Sequence, residues 1–276
     1  MAELLIGTAS WSHPSWQGVF YPPGTPASDY LAHYAREFRT VEVDSTYYAP
    51  PTPRMVDAWR ARTPEGFLLS AKVPGMITHE RRLVDCDAEL DAFLTTMRRL
   101  GPRLGCLLLQ FPYFKKQEFP TLDAFLDRLV PFLQRLPTDL RFAVEVRNRQ
   151  WLQPPLFEVL RARSVALALI DHPYMPSAGE YLRFPGIVTA DFLYVRWLGD
   201  RYRIEEITQS WDRLVVDRQA ETARWIEALR ALMPRVQRVL AYYNNHYAGC
   251  AFASVRQFLQ AWALASEARP GVAPHR

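Results

Sequence analysis

TVEVDSTYYAPPTPRMVDAWRAR, residues 40 to 62, sets a strand directly before a helix. TVEVDSTYY is rich in β-branched and aromatic residues, whereas the apolar residues of PRMVDAWRAR fall at helical spacing. Successive side chains of a strand face opposite sides, so Val41 and Val43 point one way while Glu42, Asp44 and Thr46 point the other. An acidic strand face is either exposed, or buried and obliged to pair, protonate or do chemistry, because an isolated buried carboxylate is very costly.

The strand-then-helix unit recurs along the chain. Strand-like runs are LLIGTASW (4–11), TVEVDSTYY (40–48), GFLLSAKVP (66–74), GCLLLQFP (105–112), FAVEVRN (142–148), VALALID (165–171), FLYVRWL (192–198) and VLAYYNNHY (239–247). Helical spacing marks SDYLAHYAREF, PRMVDAWRAR, DAELDAFLTTMRRLG, FPTLDAFLDRLVPFLQRL, PPLFEVLRAR, DRQAETARWIEALRALM and GCAFASVRQFLQAWALA. Between the sixth and seventh strands, HPYMPSAGEYLRFPGIVTAD is rich in Pro and Gly and predicts a loop in place of a full helix. Strand and helix alternating about eight times is the pattern of an α/β fold, a single (β/α)8 TIM-type barrel. A doubly wound sheet is the alternative, but no G-x-G-x-x-G or Walker sequence follows a strand. The reading is one domain over residues 1–266, with a loose tail over 267–276.

The chain has 276 residues, 49% of them hydrophobic, enough to bury a large core. Cys86, Cys106 and Cys250 form no paired spacing, which speaks against a disulfide framework and for a reducing, cytoplasmic location. No basic n-region precedes MAELLIGTASW, and no apolar run reaches membrane-spanning length, so neither a signal peptide nor a membrane partner is expected. The net charge of +4 comes almost wholly from arginines scattered on helices, a solvated surface rather than a nucleic-acid stripe.

In a barrel, the Glu42 and Asp44 face becomes the interior near the C-terminal strand ends, where active sites of this fold sit. Other strands end alike: Lys72 lies between Ala71 and Val73, Gln110 follows Leu109, Glu145 lies between Val144 and Val146 with Arg147 next inward, Asp171 ends the sixth strand, and Arg196 follows Val195. One cluster of carboxylates and cations is expected, its members shifting one another's pKa values, with Glu42, Asp44, Lys72, Glu145 and Asp171 as catalytic candidates. Glu42 or Glu145 would be ionised and serve as general base. The same side chains also suit buried ion pairs that cap the barrel. Trp11, Tyr47, Phe111, Trp151 and Trp197 fall at or just past strand ends, where rings could line a pocket, whereas Trp59, Trp225 and Trp262 read as core.

GTASW, VEVDSTYY, LLLQFP, FAVEVRNRQW and YYNNHYAG, in this order over essentially the whole chain, resemble the YecE-like family, domain of unknown function 72. The resemblance implies a TIM-type barrel and no established reaction. By position it marks Trp11, Glu42, Asp44, Gln110, Glu145, Arg147, Trp151, Asn244 and Asn245; His246 stands where relatives often carry an acidic residue.

Glu42, Asp44, Glu145, Asp171 and His246 could supply ligands for Mg2+ or Mn2+. The fixed cations Lys72, Arg147 and Arg196 argue instead for a metal-free, cofactor-free site. Those cations favour an anionic ligand over a glycoside, and the helix opening after YNNHYAG could offer free N–H groups to phosphate. The expected function is acid/base or hydrolytic chemistry on a phosphate-bearing substrate: a nucleotide, a nucleic acid or a phosphorylated metabolite. The substrate-binding set is Trp11, Tyr47, Gln110, Arg147, Trp151, Arg196, Trp197, Asn244, Asn245 and His246. A non-catalytic protein binding nucleic acid or an anionic metabolite is the alternative, and oligomeric state stays open.

Overall fold

A computed structural model describes residues 2–267. The expected loose tail, 267–276, lies outside them except for Glu267, which ends the last helix.

Eight parallel strands form one sheet in the order β1-β8-β7-β6-β5-β4-β3-β2. They are β1 (Glu3–Thr8), β2 (Thr40–Val43), β3 (Leu68–Lys72), β4 (Leu104–Gln110), β5 (Phe142–Glu145), β6 (Ala166–Asp171), β7 (Phe192–Trp197) and β8 (Arg238–Tyr243). The helices between them are α1 (Tyr30–Glu37), α2 (Pro53–Ala61), α3 (Asp87–Met97), α4 (Leu122–Arg135), α5 (Pro154–Ala162), α6 (Ala178–Tyr181), α7 (Arg201–Ile207), α8 (Gln219–Leu232) and α9 (Ala251–Glu267). Only the single turn α6 interrupts the predicted loop between β6 and β7. The short helix α7 gave no readable period, because of its seven residues only Ile204 is buried.

The sheet closes between β1 and β2 with little direct pairing. Ala9 bridges Glu42, and the Ser10 N–H donates to the Glu42 carbonyl at 2.8 Å. Below that point the Tyr34 hydroxyl from α1 fills the seam, accepting from the Thr8 N–H at 2.8 Å and donating to the Thr40 carbonyl at 3.1 Å. Gly7 makes this approach possible: a Cβ there would stand 2.0 Å from the Thr40 oxygen.

Register fixes which side chains fill the barrel, since paired residues of adjacent parallel strands face the same side. Glu42 pairs with Ser70, Lys72 with Leu108, Gln110 with Glu145, and Arg196 with both Ile170 and Tyr242. These form the inward set. Leu109 with Val144, Asp171 with Trp197, and Trp197 with Tyr243 form the outward set, packed under the helices. Pairing between β5 and β6 ends at Val144 and Leu167, so the two strands part below the mouth.

Candidate functional site

The inward set carries a buried ionic chain. Glu42 and Glu145 are 0% exposed and Arg196 is 2% exposed. Arg196 reaches Glu42 Oε1 with Nη2 at 2.7 Å and Nε at 3.1 Å, and Glu145 Oε2 with Nη1 at 2.7 Å. Tyr194 donates to Glu42 Oε2 at 2.6 Å, and Arg147 Nε donates to Glu145 Oε1 at 2.6 Å. Every carboxylate oxygen of this pair therefore has a donor. Towards the mouth, Lys72 Nζ meets Asp44 Oδ1 at 2.7 Å, and both side chains reach solvent.

Charge states follow from these contacts. Burial pushes the Glu42 carboxyl up against the pull of Arg196, and the nearby Asp44 charge adds to that push. For Glu145 burial works the same way, but Arg147 and Arg196 outweigh it and hold the group at about 2. At Asp44, Lys72 and Arg196 likewise overcome burial and hold the carboxyl below its ordinary value. Glu145 cannot serve as the expected general base, since both oxygens are occupied and its carboxylate is a very weak base.

Where β5 and β6 part, a cavity of about 710 Å³ opens, lined by His79, Gln110, Pro112, Tyr113, Arg147, Arg149, Gln150, His172 and Tyr174. Arg147 joins it to the buried chain. Its Nε is held by Glu145, and its terminal nitrogens have no partner among the described residues. His172 Nδ1 accepts the Tyr174 N–H at 3.3 Å, so the neutral ring carries its proton on Nε2. Burial and Arg147 lower His172 to about 4, and burial and Lys72 lower His79. Both rings are neutral at pH 7, and His79 Nδ1 lies 2.8 Å from the Thr78 hydroxyl.

The expected residues do not all meet. Glu42, Asp44, Lys72, Glu145, Arg147 and Arg196 come together, with Gln110 on the cavity wall. Asp171 is a correction: it faces the helices, where Trp225 Nε1 donates to its Oδ2 at 2.6 Å and burial raises its pKa. Trp197 is another, stacked on Tyr243 at 4.1 Å within the helix-side core. Trp151 stacks on Phe125 at 4.7 Å and is buried, as is Phe111. Adjacent strand residues cannot both face inward, so Arg196 in the interior sends Trp197 out.

Trp11 leans edge-on against Trp59 at 5.8 Å, while Tyr47 lies under Lys72 at 5.9 Å and beside His79 at 4.9 Å. Asn244, Asn245 and His246 form a separate group. Asn244 Oδ1 bonds the His246 N–H and its ring Nδ1, and His246 Nε2 meets Glu205 of α7 at 3.0 Å. Asn245 Oδ1 accepts the Ala251 N–H at 2.9 Å, and Cys250 and Ala251 are buried. The start of α9 is thus capped and covered, which corrects the expectation of free N–H groups for phosphate. His246 is held by Asn244 and Glu205, and Asp171 faces the helices, so the residues weighed as alternative divalent-ion ligands do not form one set. Among the described residues no group of three His, Cys, Asp or Glu side chains could hold a metal ion.

His79, His172 and Tyr194 were missed. The position of His172, directly after a strand end, and that of Tyr194, two before Arg196, were the available signals.

A family model described as protein of unknown function DUF72 matches residues 5–275. The UPF0759 protein YecE of Escherichia coli K12 is 38% identical over 174 residues, which cover 61% of this chain and 59% of that protein's length. The UPF0759 protein YunF of Bacillus subtilis is 25% identical over 279 residues, covering 93% of this chain and 94% of that one. The crystal structure of a DUF72 family protein of Thermotoga maritima superposes with a TM-score of 0.75 at 27% identity, over 95% of this chain and 99% of that one.

Proposed function

The chain belongs to the DUF72 family of proteins of unknown function, and from that premise we propose that it binds a small phosphate-bearing ligand in the cavity above β5 and β6 and performs acid/base or hydrolytic chemistry on it. Arg147 carries this reading. The fully buried Glu145 fixes one edge of its guanidinium at 2.6 Å and leaves the terminal nitrogens to a ligand. A guanidinium fork suits phosphate oxygens, and a preset fork loses little freedom on binding.

His172 and His79 supply the proton chemistry. Burial holds both neutral, and the negative charge of a phosphate beside them would make either basic enough to take a proton from an attacking water as general base. A phosphate dianion beside them favours their charged forms, which couples ligand binding to proton uptake. Glu42, Glu145 and Arg196 act as the buried frame that orients Arg147.

One observation favours the non-catalytic alternative: among the described residues no carboxylate lines the cavity wall beside Arg147 and the two imidazoles. Calorimetry and turnover assays with simple phosphate monoesters separate the two readings. Arg147→Ala should weaken binding by about tenfold or more, while His172→Asn should keep binding and lose turnover. Binding without turnover in the wild type would leave the binding protein. Binding unchanged by Arg147→Ala would sink both.

A further inference from the structure

Exposed large aromatic side chains are few, and each follows a strand at the mouth: Tyr48 after β2, Tyr113 after β4, Tyr174 after β6 and Tyr202 after β7. Tyr113 and Tyr174 line the Arg147 cavity, at 60% and 78% exposed; Tyr48 and Tyr202 do not. The hydroxyls of Tyr113 and Tyr174 have no partner among the described residues, so nothing polar explains their position. Their backbones are nonetheless anchored. Beside Tyr113, Asn148 clamps Phe114, accepting its N–H and donating to its carbonyl, both at 2.9 Å. His172 Nδ1 holds the Tyr174 N–H at 3.3 Å.

The cavity thus has a cationic floor at Arg147 and aromatic walls completed by Pro112. Its volume of about 710 Å³ lies in the range of sites for single small molecules. Gln110 spends one amide hydrogen on the Phe111 carbonyl at 3.0 Å, which leaves its carbonyl oxygen and second hydrogen to read a polar ring edge.

We infer that the ligand is a phosphate ester whose organic part carries a flat heteroaromatic ring, a mononucleotide in size and chemistry, with its phosphate on Arg147 and its ring against Tyr113 and Tyr174. This rests on the reading of the cavity as an anion site. Aromatic faces stack on any nucleobase, whereas a sugar phosphate without a base offers the two tyrosines no flat ring to stack on.

Titration calorimetry of the full chain with inorganic phosphate, ribose 5-phosphate, adenosine 5′-monophosphate and uridine 5′-monophosphate tests it. At least one nucleotide should bind about tenfold or more tighter than ribose 5-phosphate. Tyr113→Leu or Tyr174→Leu should remove that advantage and leave ribose 5-phosphate unchanged, while Tyr48→Leu and Tyr202→Leu keep it. Equal affinity for nucleotides and ribose 5-phosphate, with both lost in Arg147→Ala, would overturn the ring inference and leave the anion site standing. No binding by any of the four, or binding indifferent to Arg147→Ala, would overturn the anion site and this inference with it.

Discussion

Arg196 Nη1 and Glu145 Oε2 meet 2.7 Å apart in the closed interior of the barrel. The same guanidinium also holds Glu42, so one cation bridges two carboxylates that have no access to water. Such a group is worth little as an isolated ion pair, because desolvation offsets most of the attraction. Its consequence is geometric: Glu145, fixed from behind by Arg196, presents its other oxygen to Arg147.

Removing the shared cation should therefore cost more than the pair itself contributes. Arg196→Met leaves Glu42 buried with only the Tyr194 hydroxyl and Glu145 with only Arg147, and a loss of about 3–5 kcal/mol is expected in denaturant unfolding. Arg196→Lys should recover only part of it, since an ammonium cannot bridge both carboxylates as the fork does. A loss below about 1 kcal/mol for Arg196→Met would show that the chain of contacts is slack.

The seam between β1 and β2 gives a second test. Tyr34→Phe removes the hydroxyl that serves the Thr8 N–H and the Thr40 carbonyl, both buried, and should cost about 1–3 kcal/mol. Gly7→Ala should be worse, because its Cβ would overlap the Thr40 oxygen. Gly179→Ala, where nothing lies within 4 Å of a new Cβ, is the tolerated control. Equal thermal stability of the Gly7 and Gly179 variants would refute the tight closure.

Strand parity explains how much of this was legible. All eight strands and the inward direction of Glu42, Lys72, Glu145 and Arg196 follow from alternation, because each sits between apolar residues that need the helix layer. Asp171 was misplaced because a strand's last residue has no downstream neighbour to mark its face, and its partner Trp225 lies 54 positions away. Trp197 was misplaced by reading position along the strand without parity. The cavity itself was not legible: it depends on where β5 and β6 part, and spacing within either strand carries no sign of that.

Acid should weaken the fold in two successive windows. His172 titrates near 6.5 when unfolded and at about 4 when folded, so the unfolded chain takes the proton first. Stability is then fully present above about pH 6.5 and falls as pH drops towards 4. Glu145, at about 2 against an ordinary 4.5, adds a loss between those values as its ion pairs are protonated away. Melting temperatures from pH 7 to 3 should show both declines, and His172→Asn should flatten part of the upper one. A melting temperature constant between pH 6.5 and 4 would contradict the burial of this imidazole.

Single-stranded nucleic acid should bind weakly and with a shallow salt dependence. Each phosphate neutralised releases counterions, so the slope of binding against salt counts the contacts. The net charge is +4, and many surface arginines already have carboxylate partners: Arg98 holds Asp139 at 2.9 Å, Arg99 holds Asp57 at 2.9 Å, and Arg256 holds Glu37 at 2.6 Å. A pocket centred on Arg147 engages one phosphate and its neighbours, which limits the log–log slope to about 2. Arg147→Ala should lower what binding there is, and the double change Arg98→Ala and Arg99→Ala should leave it alone. Tight binding at physiological salt with a steep slope, lost in the Arg98 and Arg99 variant, would move the contact surface from the barrel mouth to the helices that carry those pairs.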